Sequence, residues 1–135
     1  MSNPPNIVIS KLDLQRLDKM LDPMKYPLDS LETLENEIAR ARIVSHTRIP
    51  ANVVTMNSRV HVLDEITGRE FFVTLVYPED AGDTETVSIL APVGMALLGL
   101  KTGQSIEWTS PQCRPLKLKV LDIPFQPEAN LEYDL

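Results

Sequence analysis

Asp29 and Glu32 form the arrangement in this chain best suited to chemistry. Carboxylates three residues apart share a helix face and could hold a divalent cation through oxygen ligands. The same two positions also suit a helix start, with Asp29 as the cap and Glu32 as the acid three residues on, near the positive end of the helix dipole; that is the reading adopted. His46 and His61 are the chain's histidines, and neither has a cysteine or carboxylate at metal-ligand spacing. They are read as surface or half-buried side chains. Cys113 stands beside Arg114, a neighbour able to lower a thiol pKa, and is read as an inert loop cysteine. There is no G-x-S-x-G elbow and no phosphate loop. Gly99-Leu100-Lys101-Thr102-Gly103 is superficially similar to one, but it joins a helix end to a strand instead of opening a helix. No catalytic, cofactor-binding or metal-binding residue is assigned.

Two features point to partners. Arg40, Arg42 and Arg48 gather near the end of a helical stretch, where cations favour the helix C-terminus or, if they share one side, a partner. Ala91 to Ile106 holds a short apolar helix that Pro92 can open and Gly99 can close. Its bulk belongs in a core. Its start, Ala91-Pro92-Val93, follows a strand end and can present a small apolar knob for docking.

The elements that must position these residues fall into two halves. From Ser10 to about Val44 the period is helical. Ser10 caps a first helix with Asp13 three residues later, and Leu14, Leu17 and Leu21 line one face. Asp22-Pro23 stops it, Met24 to Pro27 turns the chain, and Leu31, Leu34, Ile38 and Ala41 continue as an a/d seam. The expected result is a short antiparallel αα-hairpin over residues 1–48, with helices of ~12 and ~16 residues spanning ~18–24 Å. Ile7-Val8-Ile9 adds an edge strand at its base.

From Val53 the period moves toward two. Strands are expected over Arg59–Leu63, Glu70–Tyr77, Val87–Leu90, Ser105–Thr109 and Leu116–Ile123, with Pro111 and Pro115 marking the last turn. Short connections favour an antiparallel sheet around one short helix over residues 49–135, and hence an α+β chain. The Pro- and acid-containing segment from Pro124 to Leu135 is expected to be ordered only in part.

The chain has 135 residues, 43% of them hydrophobic, enough for one modest core. A formal charge of −6 argues against sequence-independent nucleic-acid binding. One cysteine excludes an intramolecular disulfide, and the longest apolar run, Met95 to Leu100, is far too short for a membrane span. With no basic and apolar leader at Met1-Ser2-Asn3, the expectation is a soluble, cytoplasmic protein.

Four stretches carry a resemblance: Pro50-Ala51-Asn52-Val53-Val54-Thr55-Met56-Asn57-Ser58-Arg59-Val60, Thr74-Leu75-Val76-Tyr77-Pro78, Ala91 to Gly103, and Phe125-Gln126-Pro127-Glu128-Ala129. Together with the order of parts, they resemble the Gre-factor-related family of bacterial RNA polymerase-binding proteins. Within it, the regulators of nucleoside diphosphate kinase are the closer match. The resemblance implies an N-terminal coiled-coil hairpin and an FKBP-like C-terminal domain. It implies docking near the mouth of the polymerase secondary channel through Ala91, Pro92, Val93 and Gly94, with Pro23, Met24, Lys25, Tyr26 and Pro27 as the hairpin tip.

In Gre factors, acidic residues at the tip help hold a catalytic magnesium. Here the turn has no carboxylate pair: Asp22 flanks it, and Asp29 and Glu32 begin the next helix. The hairpin is also about half the length of a Gre hairpin by the rise per residue. The expectation is a non-enzymatic regulator that binds polymerase and competes with Gre factors without stimulating transcript cleavage. Nucleoside diphosphate kinase is the second partner the family implies, through its level or by direct contact. A peptidyl-prolyl isomerase is the remaining alternative, on fold alone; with 5% aromatics and one tryptophan, Trp108, its proline pocket would be hard to line. No cofactor, membrane or sequence-specific nucleic acid is implied.

Overall fold

The computed structural model describes residues 7–45, 47–82, 85–110 and 113–127. His46, Pro111, Glu128 and Ala129 lie outside the described residues, as do the side chains of Trp108, Cys113 and Arg114.

The chain opens with a β-α-α-β unit. Strand β1 (Val8–Ser10) leads directly into helix α1 (Lys11–Met20), and helix α2 (Leu28–Ala39) leads into strand β2 (Arg42–Val44). The two strands pair in parallel, Val8 opposite Arg42 and Ser10 opposite Val44. Parallel neighbours need a crossover, and the two helices with their turn supply it. Ser10 caps α1 as expected, its hydroxyl accepting the Asp13 N–H at 3.0 Å.

The start of α2 differs from expectation. Its N-cap is Pro27, with no side-chain hydrogen bond, and Asp29 lies inside the first turn. The Pro27 carbonyl accepts the Leu31 N–H at 3.2 Å, so the helix is under way before Asp29; there the carboxylate acts through the dipole and not as the cap. The other end differs too. Helical periodicity was expected to reach Val44, yet α2 stops at Ala39 because Ile43 and Val44 are β-branched and find a strand partner in β1. The helices are therefore 10 and 12 residues long, ~15 and ~18 Å.

The second half is a five-stranded sheet in the order β5-β4-β3-β7-β6. Its strands are β3 (Arg59–Asp64), β4 (Glu70–Val76), β5 (Thr86–Ser88), β6 (Ser105–Ser110) and β7 (Cys113–Phe125), with helix α3 (Pro92–Leu97) between β5 and β6. The expectation of an antiparallel sheet holds for β3 with β4, β3 with β7 and β6 with β7. It fails at β5, which runs parallel to β4, so the sheet is mixed. The physical reason lies in the connection: Pro78–Asp80 forms a single 3₁₀ turn beyond the end of β4, and the chain re-enters the sheet with Thr86 level with Thr74. A register shift at His61 lets β3 bend against β7, as a bulge does.

One hydrophobic cluster joins both halves. Leu17 of α1 and Leu34 of α2 are buried with Val60, Leu75, Leu97, Leu118 and Val120, while Leu14, Leu21, Ile38 and Ala41 pack at its margin. All of the expected seam residues except Leu31, which is buried outside this cluster, thus face the core shared with the sheet. Backbone contacts tighten the same junction. Val8 N–H donates to the Gly99 carbonyl at 3.2 Å, and Gly99 N–H donates to the Val54 carbonyl at 2.9 Å. Gly99 sits at φ 82°, and a Cβ there would run into Ile7, so glycine is required on both counts.

Asp13 adds a buried polar tie. It is 3% exposed, and its Oδ2 accepts the Met56 N–H at 3.1 Å across 43 residues of sequence. Met56 belongs to a tight turn. Thr55 N–H donates to the Ser58 Oγ at 2.9 Å, and Asn57, at φ 66°, donates its N–H to the Leu75 carbonyl at 2.6 Å. Gln126 closes the other side, its amide donating to the carbonyls of Pro50 at 2.7 Å and Val53 at 2.8 Å. Replacing Asp13 with alanine leaves the buried Met56 N–H without this acceptor and is expected to cost ~1–3 kcal/mol. Asp13→Asn keeps an acceptor oxygen and is expected to cost less. Urea unfolding of the two variants checks both, and an unchanged midpoint for Asp13→Ala would show that the tie is dispensable.

Candidate partner-docking site

Helix α3 is a short helix with one wet end. Pro92 occupies its first turn behind Ala91, which is extended at φ −77° and ψ 149°. Pro92 has no N–H to leave unsatisfied, so it starts the helix without a side-chain cap. Ala91 is held by its N–H to the Ser88 carbonyl at 3.0 Å and accepts the Met95 N–H at 3.0 Å. Met95, Ala96, Leu97 and Leu98 are buried, whereas Pro92 is exposed and Ala91 and Val93 are half-buried. The sequence expectation of an anchored body with an accessible start is what the structure has.

Gly94 is buried, and a Cβ built on it would collide with the Ser88 carbonyl oxygen. It lets α3 lie against the end of β5 and presents nothing to solvent. The accessible part is therefore Ala91, Pro92 and Val93, a small apolar knob.

The tip residues Pro23, Met24, Lys25, Tyr26 and Pro27 do form the turn between α1 and α2. Asp22 organises it: its Oδ1 accepts the Met24 N–H at 2.9 Å, and its carbonyl accepts from Lys25 at 3.0 Å and Tyr26 at 3.1 Å. The Oδ1 contact is that of an Asx turn. Met24 is 92% exposed at the apex. Lys25 and Tyr26, with Arg16, Lys19 and Met20, also border a cleft closed on its other side by Tyr77. Asp29 and Glu32 stay on the exposed surface of α2. Among the described residues no three His, Cys, Asp or Glu side chains gather as a metal would need.

The arginines separate. Arg40 is drawn back to Glu37 at 2.6 Å, whereas Arg42 and Arg48 are exposed beside β2. His61 lies on the outer face of the sheet, stacked on Phe72 at 4.4 Å between ring centres, with its Nε2 3.0 Å from Glu70. Arg59 lies over the same ring at 5.0 Å. Residue spacing did not reveal this cluster, because it depends on the β3–β4 register that sets His61 opposite Phe72. Among the described residues no helix is long and apolar enough to cross a membrane.

Comparison with known proteins places this geometry. Residues 49–125 match the family model "Transcription elongation factor, GreA/GreB, C-term", and residues 5–44 match "Rnk N-terminus". The "Regulator of nucleoside diphosphate kinase" of Escherichia coli K12 is 42% identical over 131 residues, covering 96% of either chain. A "Transcription elongation factor GreA" from Orientia tsutsugamushi is 36% identical over 80 residues, covering 58% of this chain and 50% of that one. Among solved structures, the "Prokaryotic transcription elongation factor GreA/GreB from Nitrosomonas europaea" superposes with a TM-score of 0.70 at 44% identity, over 90% of this chain and 99% of that one. These relatives are named as regulators and transcription factors.

Proposed function

The chain belongs to the family of regulators of nucleoside diphosphate kinase, an Rnk N-terminus joined to a GreA/GreB-type C-terminal domain, and on that footing we propose that it regulates transcription by docking on RNA polymerase near the secondary channel. On this reading residues 49–135 are the docking body, with Ala91, Pro92 and Val93 as its contact. Residues 1–48 are a short arm aimed at the channel mouth. The observation that carries the proposal is the division within α3: an exposed proline start on a helix whose following residues are buried. A rigid apolar knob loses little side-chain entropy on binding and needs no polar group to be desolvated.

The protein competes with Gre factors and does not stimulate transcript cleavage. Two features support this part. The turn from Asp22 to Pro27 carries one carboxylate and no pair, and helices of 10 and 12 residues give an arm of only ~15–18 Å. Work on polymerase puts the protein in the cytoplasm. The link to nucleoside diphosphate kinase in the relative's name then follows from a change in the kinase's level.

Pro92→Asp is expected to weaken competition with a Gre factor for core RNA polymerase about tenfold or more, since a charge must be desolvated at the contact. Its circular dichroism and urea midpoint should stay near wild type. Gly94→Ala should show the opposite pattern, a loss of ~1–3 kcal/mol in stability from overpacking against β5. Full competition by Pro92→Asp would exclude the contact assigned here. Accelerated cleavage in a stalled elongation complex would overturn the reading of the tip. Capture of the kinase and not the polymerase in a pull-down with purified partners would replace the proposal with direct kinase binding.

A further inference from the structure

Strand β2 pairs with β1 on one edge, and its other edge pairs with no strand among the described residues. The Arg42 N–H points inward to the Ile7 carbonyl at 2.9 Å. Alternation along a strand then directs the Ile43 N–H and C=O to the open edge. Ile43 also lines a surface groove together with Lys11, Arg42, Val44, Ser45, Thr47 and Arg48. Lys11, Arg42 and Arg48 are all exposed, and among the described residues none of them forms an ion pair and no carboxylate lines the groove. Three cations beside an unpaired strand edge are unexpected on a chain of net charge −6.

We propose that the groove along β2 binds an extended acidic polypeptide segment, which adds as a strand at Ile43 and places its carboxylates against Lys11, Arg42 and Arg48. The two features select the occupant together. An open edge offers main-chain hydrogen bonds to another extended backbone, the basis of strand addition. The cations choose carboxylates on the added strand, and the guanidinium fork suits them bidentately. The same cations deter a second copy of β2 from pairing there by like-charge repulsion. A nucleic acid fits less well: it lacks the amides that complete a strand edge, and the overall negative charge repels a long polyanion. The site is separate from the knob at Ala91–Val93 and stands without polymerase docking.

The test uses the full chain and a fluorescein-labelled short peptide of alternating glutamate and valine, read by fluorescence anisotropy. Saturable binding is expected, weakening as salt rises past ~0.1 M, where the Debye length falls to ~10 Å. The double variant Arg42→Glu, Arg48→Glu should lose roughly tenfold or more in affinity with an unchanged circular dichroism spectrum, since two charge-assisted contacts are reversed. The peptide N-methylated at alternate amides should bind roughly fivefold more weakly, because strand addition needs those hydrogen bonds. Equal binding by the N-methylated peptide, or by the double variant, would overturn the proposal. Displacement by inorganic tripolyphosphate as effective as that by unlabelled peptide would also overturn it, making the groove a phosphate site.

Discussion

A buried carboxylate holds the first helix to the sheet half of this chain, and much of the architecture follows from where it is. Asp13 is taken out of water by the same fold that gives it the Met56 N–H to accept. Burying a charge is costly unless it is hydrogen-bonded, so the position specifies one arrangement of α1 against the 55–58 turn. The positive end of α1 assists, because Asp13 stands in its first turn. Gly99 completes the junction on the apolar side, allowing β1 to approach close enough for Val8 to reach its carbonyl. With those contacts made, Leu17 and Leu34 enter the core that the sheet already needs. Helices this short are marginal when isolated, and the shared core supplies what length does not.

What could be read from the sequence divides by the range of the interaction. The Ser10 cap, the Pro92 helix start and the strands around Val60 and Val73 depend on neighbours a few residues away, and they were legible. At α2 a carboxylate at Asp29 suits a helix start by spacing, but Pro27, whose fixed φ also suits one, takes the cap. The end of α2 was overrun because a three-residue strand at Arg42–Val44 gains its identity from β1, 34 positions earlier in register. The parallel placement of β5 depends on how the chain returns after the 3₁₀ turn at Pro78–Asp80, which strand periodicity does not encode.

The same division separates the two candidate surfaces. Around α3 the local pattern was enough: an apolar run behind a proline must be buried, and the proline must be near the surface where the strand delivers it. Around β2 the local pattern misleads. Arg40, Arg42 and Arg48 look like one cluster in sequence, but Arg40 lies in the helical turn that returns it to Glu37. Passing into β2 changes the direction of successive side chains, so Arg42 leaves the helix environment and meets Lys11 from the other end of the crossover. The cluster that forms is set by the parallel pairing of β1 and β2, since that pairing brings the start of α1 beside the end of β2. A longer α2 would have kept Arg42 on a helix and β2 would not exist; the helix stop at Ala39 therefore shortens the arm and opens the strand edge in one step.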